Sequence, residues 1–407
     1  MGYVKTSLRR TLIWISLAFW IVAASLLIVH RTVPPALAQS GTGTLRVATT
    51  GTDAPGCGSV ASPCQTIQYA VNLARSGDTI LVAAGTYTYS GVSLPSTCYT
   101  TTVNPMVVCI IDKQVVLLGG YTTSNWSVAD PTANLTIIDG QNVYRGIAVL
   151  GTSPTQVRAS LRMEGFTIRN GLAQGASSGA DYQISGYGGG MFTNSAPITL
   201  KNVVFSNNKA VGGNTNSSYG GAGVGGGLAI NGVPSGVRCT FDHVTFDNNE
   251  ARGGTGVNRG GSALGGGFYT YSVLASATYI TLTNNIARAG DSNGSGQDAT
   301  GLTADGLGAG GTVHTSSSVA LQYLNASGNQ AIGGNAGIQA GHGHGSVLYI
   351  ELATAAVLDS NLSGNLARGG SAQKGGIGGG AIMTSNSEVR VNRAAVINNT
   401  AKGGNGT

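Results

Sequence analysis

The sequence predicts an all-β chain, a right-handed parallel β-helix whose N-terminal end is covered by a short helix. Three observations carry that reading: 66 glycines in 407 residues, a sixfold repeat, and apolar columns of period two inside every copy. Charged residues make up 9 %, aromatics 6 % and apolar residues 41 % of the chain. That composition is apolar enough to fold, but into something turn-rich and repetitive rather than a compact α/β enzyme.

The repeat is read from Gly188. "GGGMFTNSAPITLKNVVFSNNKAVGG" is followed by "GGGLAINGVPSGVRCTFDHVTFDNNEARGG" and four further copies. Their aligned asparagines are Asn208, Asn249, Asn285, Asn329, Asn365 and Asn399, at intervals of 41, 36, 44, 36 and 34 residues. Glycine-rich loops absorb the differences. Three positions before each asparagine stand Phe205, Phe246, Leu282, Ala326, Leu362 and Val396. Further apolar columns begin at Val203, Leu200 and Ile198. The period is two, breaks once, then resumes, as expected for two short strands joined by a bend.

One copy cannot fold alone. Four buried apolar side chains stabilise it by roughly 6–10 kcal/mol, less than the conformational entropy of ordering about 20 residues. Stacked copies share their columns and bury a continuous core. The asparagines then form a structural ladder of amides, bonded from coil to coil at a turn. Upstream, "LRMEGFTIRNG" (161–171) matches the same pattern, with Leu161 and Phe166 expected to align with Leu200 and Phe205 and one residue inserted before Asn170.

"SPCQTIQYAVNLARSGDTILVAAGTYT" reads as a helix followed by a strand. Ser62 and Gln65 suggest a capping box, with Pro63 at the first helical position. Ile67, Ala70, Val71 and Ala74 make one apolar face, and Gly77 is placed at the end. Such a helix would cover the open end of the stack.

Residues 1–38 read as a signal peptide or, alternatively, an uncleaved signal anchor. Lys5, Arg9 and Arg10 precede a charge-free run from Thr11 to Val29, and Ala36-Leu37-Ala38 matches a cleavage site. Either way the rest of the chain is expected outside the cytoplasm, extracellular or at the cell surface. Membrane contact is expected only through this segment, if it is retained. The remaining organisation is an N-terminal cap with first strands over 39–120 and β-helix repeats over 121–407. The sequence stops inside a repeat loop, so a longer gene product is expected. Without the four basic residues of the leader, 18 basic residues face 16 acidic ones. The basic pI therefore gives no argument for nucleic acid. In an oxidising compartment the simplest cysteine pairing is Cys57–Cys64 and Cys98–Cys109, about 2–3 kcal/mol each. Cys239, in an inward column, reads as a buried thiol.

The segment from Ser62, with "LLGGY", "IIDGQ" and "GFTIRNG", resembles bacterial extracellular proteins with pectin-lyase-like β-helices. The repeats, pairing GGG-apolar with "FSNN" or "FDNN", resemble those of chlamydial polymorphic outer membrane proteins. Those resemblances imply surface display and adhesion. They also raise polysaccharide lyase or glycoside hydrolase activity as the enzymatic alternative.

The motifs that could carry chemistry are thin. "GAGVGG" (221–226) matches a dinucleotide fingerprint, but the repeat predicts a strand where that site needs a helix. Asp291 and Asp298, in "DSNGSGQDATGL", have half of a calcium loop's spacing and are the one weak cation site. Carboxylates on neighbouring coils would suit hydrolysis, yet Asp242 and Asp247 align with no acidic residue. One charged column does recur: Arg252, Arg288, Arg368 and Lys402 align with Val211 and Ile332. These cations are the candidate contact for an anionic glycan. His342 and His344 invite a metal reading, but the repeat aligns Gly343-His344-Gly345 with Gly188-Gly189-Gly190 and starts the strand after Gly345. The expectation is thus a structural, adhesive or glycan-contacting surface protein without catalysis, and without a cofactor or a metal at the histidines.

Overall fold

The computed structural model describes residues 43–406 apart from 96–97, 99–104, 217–218, 293 and 295–302. Residues 1–38, read from the sequence as a signal segment, and Asp298 lie outside the described residues. Parallel strands stack as a β-solenoid of about nine turns, with two helices among the described residues. No helix there is long and apolar enough to cross a membrane.

The coils contribute to four parallel sheets, the smallest of five strands. The longest carries Ile198–Ser206, Arg238–Asp247 and Leu274–Thr283 in consecutive coils. Its register pairs Leu200 with Phe241, Phe241 with Ala277, Phe205 with Phe246 and Phe246 with Leu282. Phe205 and Phe246 stack with ring centroids 5.0 Å apart. The break in period is a bend where Asn202, His243, Tyr279 and Tyr323 take left-handed backbone angles. A left-handed residue costs roughly 1–2 kcal/mol in an L-amino-acid chain, least for Gly, Asn and Asp. That bend corrects the alignment of the upstream coil. Gly165, at φ 74°, occupies the slot of Asn202, so Leu161 pairs with Ile198 and Phe166 with Val203. No insertion is needed.

After the long strand comes the Asn-Asn pair. Its first member (Asn207, Asn248, Asn284) is left-handed and turns the chain. The second enters the ladder. A three-residue strand follows, such as Glu250–Arg252, and a glycine-rich loop returns as a two-residue strand, such as Ala263–Leu264. These outgoing and returning strands lie back to back, packed on Ala251, Ala263, Ala287, Ala309 and Ala331, and form a thin flange along the solenoid. Gly261 N–H donates to Gly254 O at 2.8 Å across its base. A Cβ on Gly253 would sit 1.9 Å from Gly261 O, and this slot is glycine in every copy except at Ala289. The last sheet, including Leu228–Asn231 and Phe268–Tyr271, closes the coil.

The helix spans Ile67–Leu73 and starts later than the sequence suggests. Thr66 caps it by accepting the Tyr69 N–H at 3.1 Å, and Asp53 accepts the N–H groups of Gln65 and Thr66. Ser62 to Cys64 cannot join the helix, because Cys64 bridges Val47 and is disulfide-bonded to Cys57. The helix ends at Ala74 rather than Gly77. Ile67, Ala70, Val71 and Ala74 are buried against the first strands. Cys98–Cys109 forms the second disulfide, and Cys239 is buried and free.

Candidate anion-binding groove

On the outgoing face of the flange, the two-periodic strand buries its middle alanine and turns the flanking side chains outward. Val211, Arg252, Arg288, Ile332, Arg368 and Lys402 therefore stack in register, coil upon coil. They line a groove of about 390 Å³. The four cations are exposed, whereas Ile332 is buried. At about 4.8 Å per coil, Arg252 is one step from Arg288 and Arg368 one step from Lys402, with the Ile332 coil between the pairs. Among the described residues no carboxylate pairs with any of the four. Like charges in directly opposed positions destabilise a sheet, so two such neighbours without a counter-ion make a site suited to an external anion.

The second wall of the groove was not legible as a motif. Asn214, Thr255, Asp291, Asn335, Ser371 and Asn405 sit in loops of different length, yet they too bond along the axis. Thr255 N–H donates to Asn214 Oδ1 at 2.9 Å, Asn335 N–H to Asp291 Oδ1 at 2.8 Å and Ser371 N–H to Asn335 Oδ1 at 2.9 Å. The oxygens are engaged, which leaves the side-chain NH2 groups of Asn214 and Asn335 as donors beside the cations. Asp291, the described half of the expected cation pair, thus serves this wall and is its one carboxylate among the described residues.

The asparagine ladder lies three residues before the cations. Asn208, Asn249, Asn285 and Asn329 have no exposed surface. Each Nδ2 donates to the next coil's Oδ1, at 2.9, 3.0, 3.0 and 2.8 Å for Asn208, Asn249, Asn285 and Asn329, and Asn365 donates to Asn399 at 2.8 Å. The same Nδ2 groups also donate to a carbonyl of the preceding coil, such as Phe205 O from Asn249. The ladder joins three coils at every rung but the last, Asn399, and holds the cation strand in place.

The histidine pair lies on the opposite, returning face of the flange, and its reading from the repeat is corrected. Gly345, at φ 61°, matches the left-handed Gly188, Gly225, Gly265 and Gly308. His344 therefore aligns two residues earlier than expected, in a column with Tyr187, Val224, Leu264 and Leu307. Gly343–His344 is itself a short strand, and the two imidazoles stack at 5.2 Å. His342 Nδ1 accepts the Ile377 N–H at 2.9 Å, which puts the proton of the neutral ring on Nε2 and leaves no lone pair for a metal. Burial pushes the His344 pKa down, Asp305 pulls it up and His342 lowers it again. In the neighbouring sheet Glu351 stands opposite His314.

Other sequence candidates fare as follows. "GAGVGG" runs into the strand Gly223–Val224, with no helix to bind a pyrophosphate. Burial pushes the Cys239 thiol up to about 12, so it is no nucleophile. The one close group of potential metal ligands among the described residues is Asp53, Cys57 and Cys64. Its two sulfurs form a disulfide, and its carboxylate accepts the N–H groups of Gln65 and Thr66 ahead of the helix. In comparison with known proteins, no family model and no curated protein matches this chain.

Proposed function

We propose that this protein is an exported, surface-displayed solenoid that binds an anionic polysaccharide lengthwise in the cation groove and does not turn it over. The observation that carries the proposal is the in-register column Arg252, Arg288, Arg368 and Lys402, exposed, without carboxylate partners, and flanked by a wall of polar donors. From Arg252 to Lys402 the column spans about 19 Å, four steps of the strand spacing. That length suits several sugar units of one chain. Support for export comes from the leader-like segment and the two disulfides. The motif resemblance to pectin-lyase-like extracellular proteins and to polymorphic outer membrane repeats supports display and adhesion.

Binding of the full chain to sulfated, carboxylated and neutral polysaccharides, by calorimetry across a salt series, tests this. Saturable binding to an anionic polymer is expected, weakening as salt screens the charges and lost in an Arg252→Gln/Arg288→Gln/Arg368→Gln/Lys402→Gln variant that keeps its melting temperature. Equal binding by that variant, or preference for the neutral polymer, overturns the groove. Release of shortened or unsaturated products would favour the lyase or hydrolase alternative instead.

A further inference from the structure

We infer that Thr315, His314 and Glu351 form an activated hydroxyl able to accept an acyl group from an ester, at a site on the far side of the flange from the cation groove. The three come from two neighbouring coils. His314 ends the strand Gly311–His314, and Glu351 ends Leu348–Glu351 in the next coil, directly opposite it. His314 Nε2 lies 3.0 Å from Glu351 Oε2, and its Nδ1 lies 2.7 Å from Thr315 Oγ1. With the carboxylate at one nitrogen, the network assigns the neutral ring as Nε2–H donating to Glu351. Nδ1 is then the acceptor of the threonine proton. A hydroxyl on a base, and that base oriented by a third group, is the arrangement of nucleophilic catalysis.

Two features set this corner apart from the same corner in other coils. First, Thr315 is an extra residue. The turn runs Tyr271-Ser272-Val273 and Glu351-Leu352-Ala353 in the neighbouring coils but His314-Thr315-Ser316-Ser317 here, with Ser316 in the left-handed slot of Ser272 and Leu352. The insertion places a hydroxyl beside the imidazole. The ring is held from behind by Tyr271, whose ring stacks at 5.9 Å and 27°. Second, the chain next to Thr315 and Glu351 borders a shallow depression of about 600 Å³, lined by Ser316, Ser317, Leu352, Ala353, Asn386 and Ser387. Leu352 is 51 % exposed and sits at φ 49°, where the aligned turns carry Ser195, Ser272 and Asn386. A bulky apolar residue in left-handed backbone is a strained choice, and strain of that kind collects at functional sites. Its exposed side chain offers a surface for a short apolar acyl group.

The step is a plain acyl transfer. Thr315 Oγ1 attacks the ester carbonyl carbon as its proton passes to His314 Nδ1. The bond from that carbon to the leaving oxygen breaks, and the leaving alkoxide takes the proton from His314. Water then attacks the acyl-threonine by the same route and releases the carboxylic acid.

The test is reaction of the full chain with 4-nitrophenyl acetate, read by nitrophenolate release and by peptide mass. One acetyl per chain on the peptide carrying Thr315 is expected. Thr315→Val should abolish it, Thr315→Ser should keep it, and His314→Gln should slow it by about 100-fold or more. Glu351→Gln should slow it by a smaller factor. No adduct on the wild-type chain, an adduct at another residue, or labelling of Thr315 that is unchanged in His314→Gln overturns the inference. The wild-type adduct site decides the matter even if a variant fails to fold. Glycan binding in the groove plays no part in the readout.

Discussion

Asn285 and Arg288 are three residues apart on one strand turn, and the solenoid uses them in opposite ways. Asn285 has no exposed surface, and its amide is committed on every side. It donates to Phe246 O and Asn329 Oδ1 and accepts from Asn249 through both N–H and Nδ2. Arg288 is exposed and pairs with no carboxylate among the described residues. Both columns repeat at the coil spacing. The buried column is spent on the fold, and the solvated one is free for a partner. Adjacent columns of one repeat can thus evolve under separate constraints.

The sharpest way to break this contrast is Asn285→Ala. It takes a side-chain partner from a buried carbonyl and from two donors in neighbouring coils, and should cost about 4 kcal/mol, read as a shift in the urea midpoint. A loss below 1 kcal/mol would mean the ladder is ornament. Asn335→Ala sharpens the comparison, because that side chain makes a similar bond along the axis on the solvated groove wall, accepting from Ser371 N–H. With water able to replace the lost acceptor, the expected cost is about 0.5–1 kcal/mol. Arg288→Ala should move stability least, within about 0.5 kcal/mol, while weakening binding to an anionic polysaccharide. A large destabilisation would show the arginine stem to be part of the core.

What was legible in the sequence follows the same division. The inward columns and the asparagine ladder recur in almost every copy with one residue type or one polarity, so period and alignment reveal them. The second ladder did not show itself, since Asn214, Thr255, Asp291, Asn335, Ser371 and Asn405 share only a hydrogen-bonding capacity and sit in loops of unequal length. The returning strand was missed because two residues such as Gly343–His344 have no periodicity. That omission displaced His344 by two positions. The upstream register failed similarly, because the left-handed slot of Gly165 and Asn202 fixes it, and spacing of apolar residues does not. Contacts between coils were the least accessible. His314 and Glu351 are 37 residues apart, and only the stacked register brings them together.

The asparagine ladder also has a direction. Every amide-to-amide bond from Asn208 to Asn365 runs toward the C-terminal coil, the second hydrogen of each Nδ2 going to a backbone carbonyl of the coil before. Six amides aligned head to tail polarise one another, so each bond is stronger within the row than it would be alone. The solenoid therefore carries a polar line through its interior, with the donor ends facing one pole and the acceptor ends the other. A substitution midway does more than remove its own bonds. It divides one cooperative row into two shorter ones, and coils that never touch the altered residue lose part of what holds them.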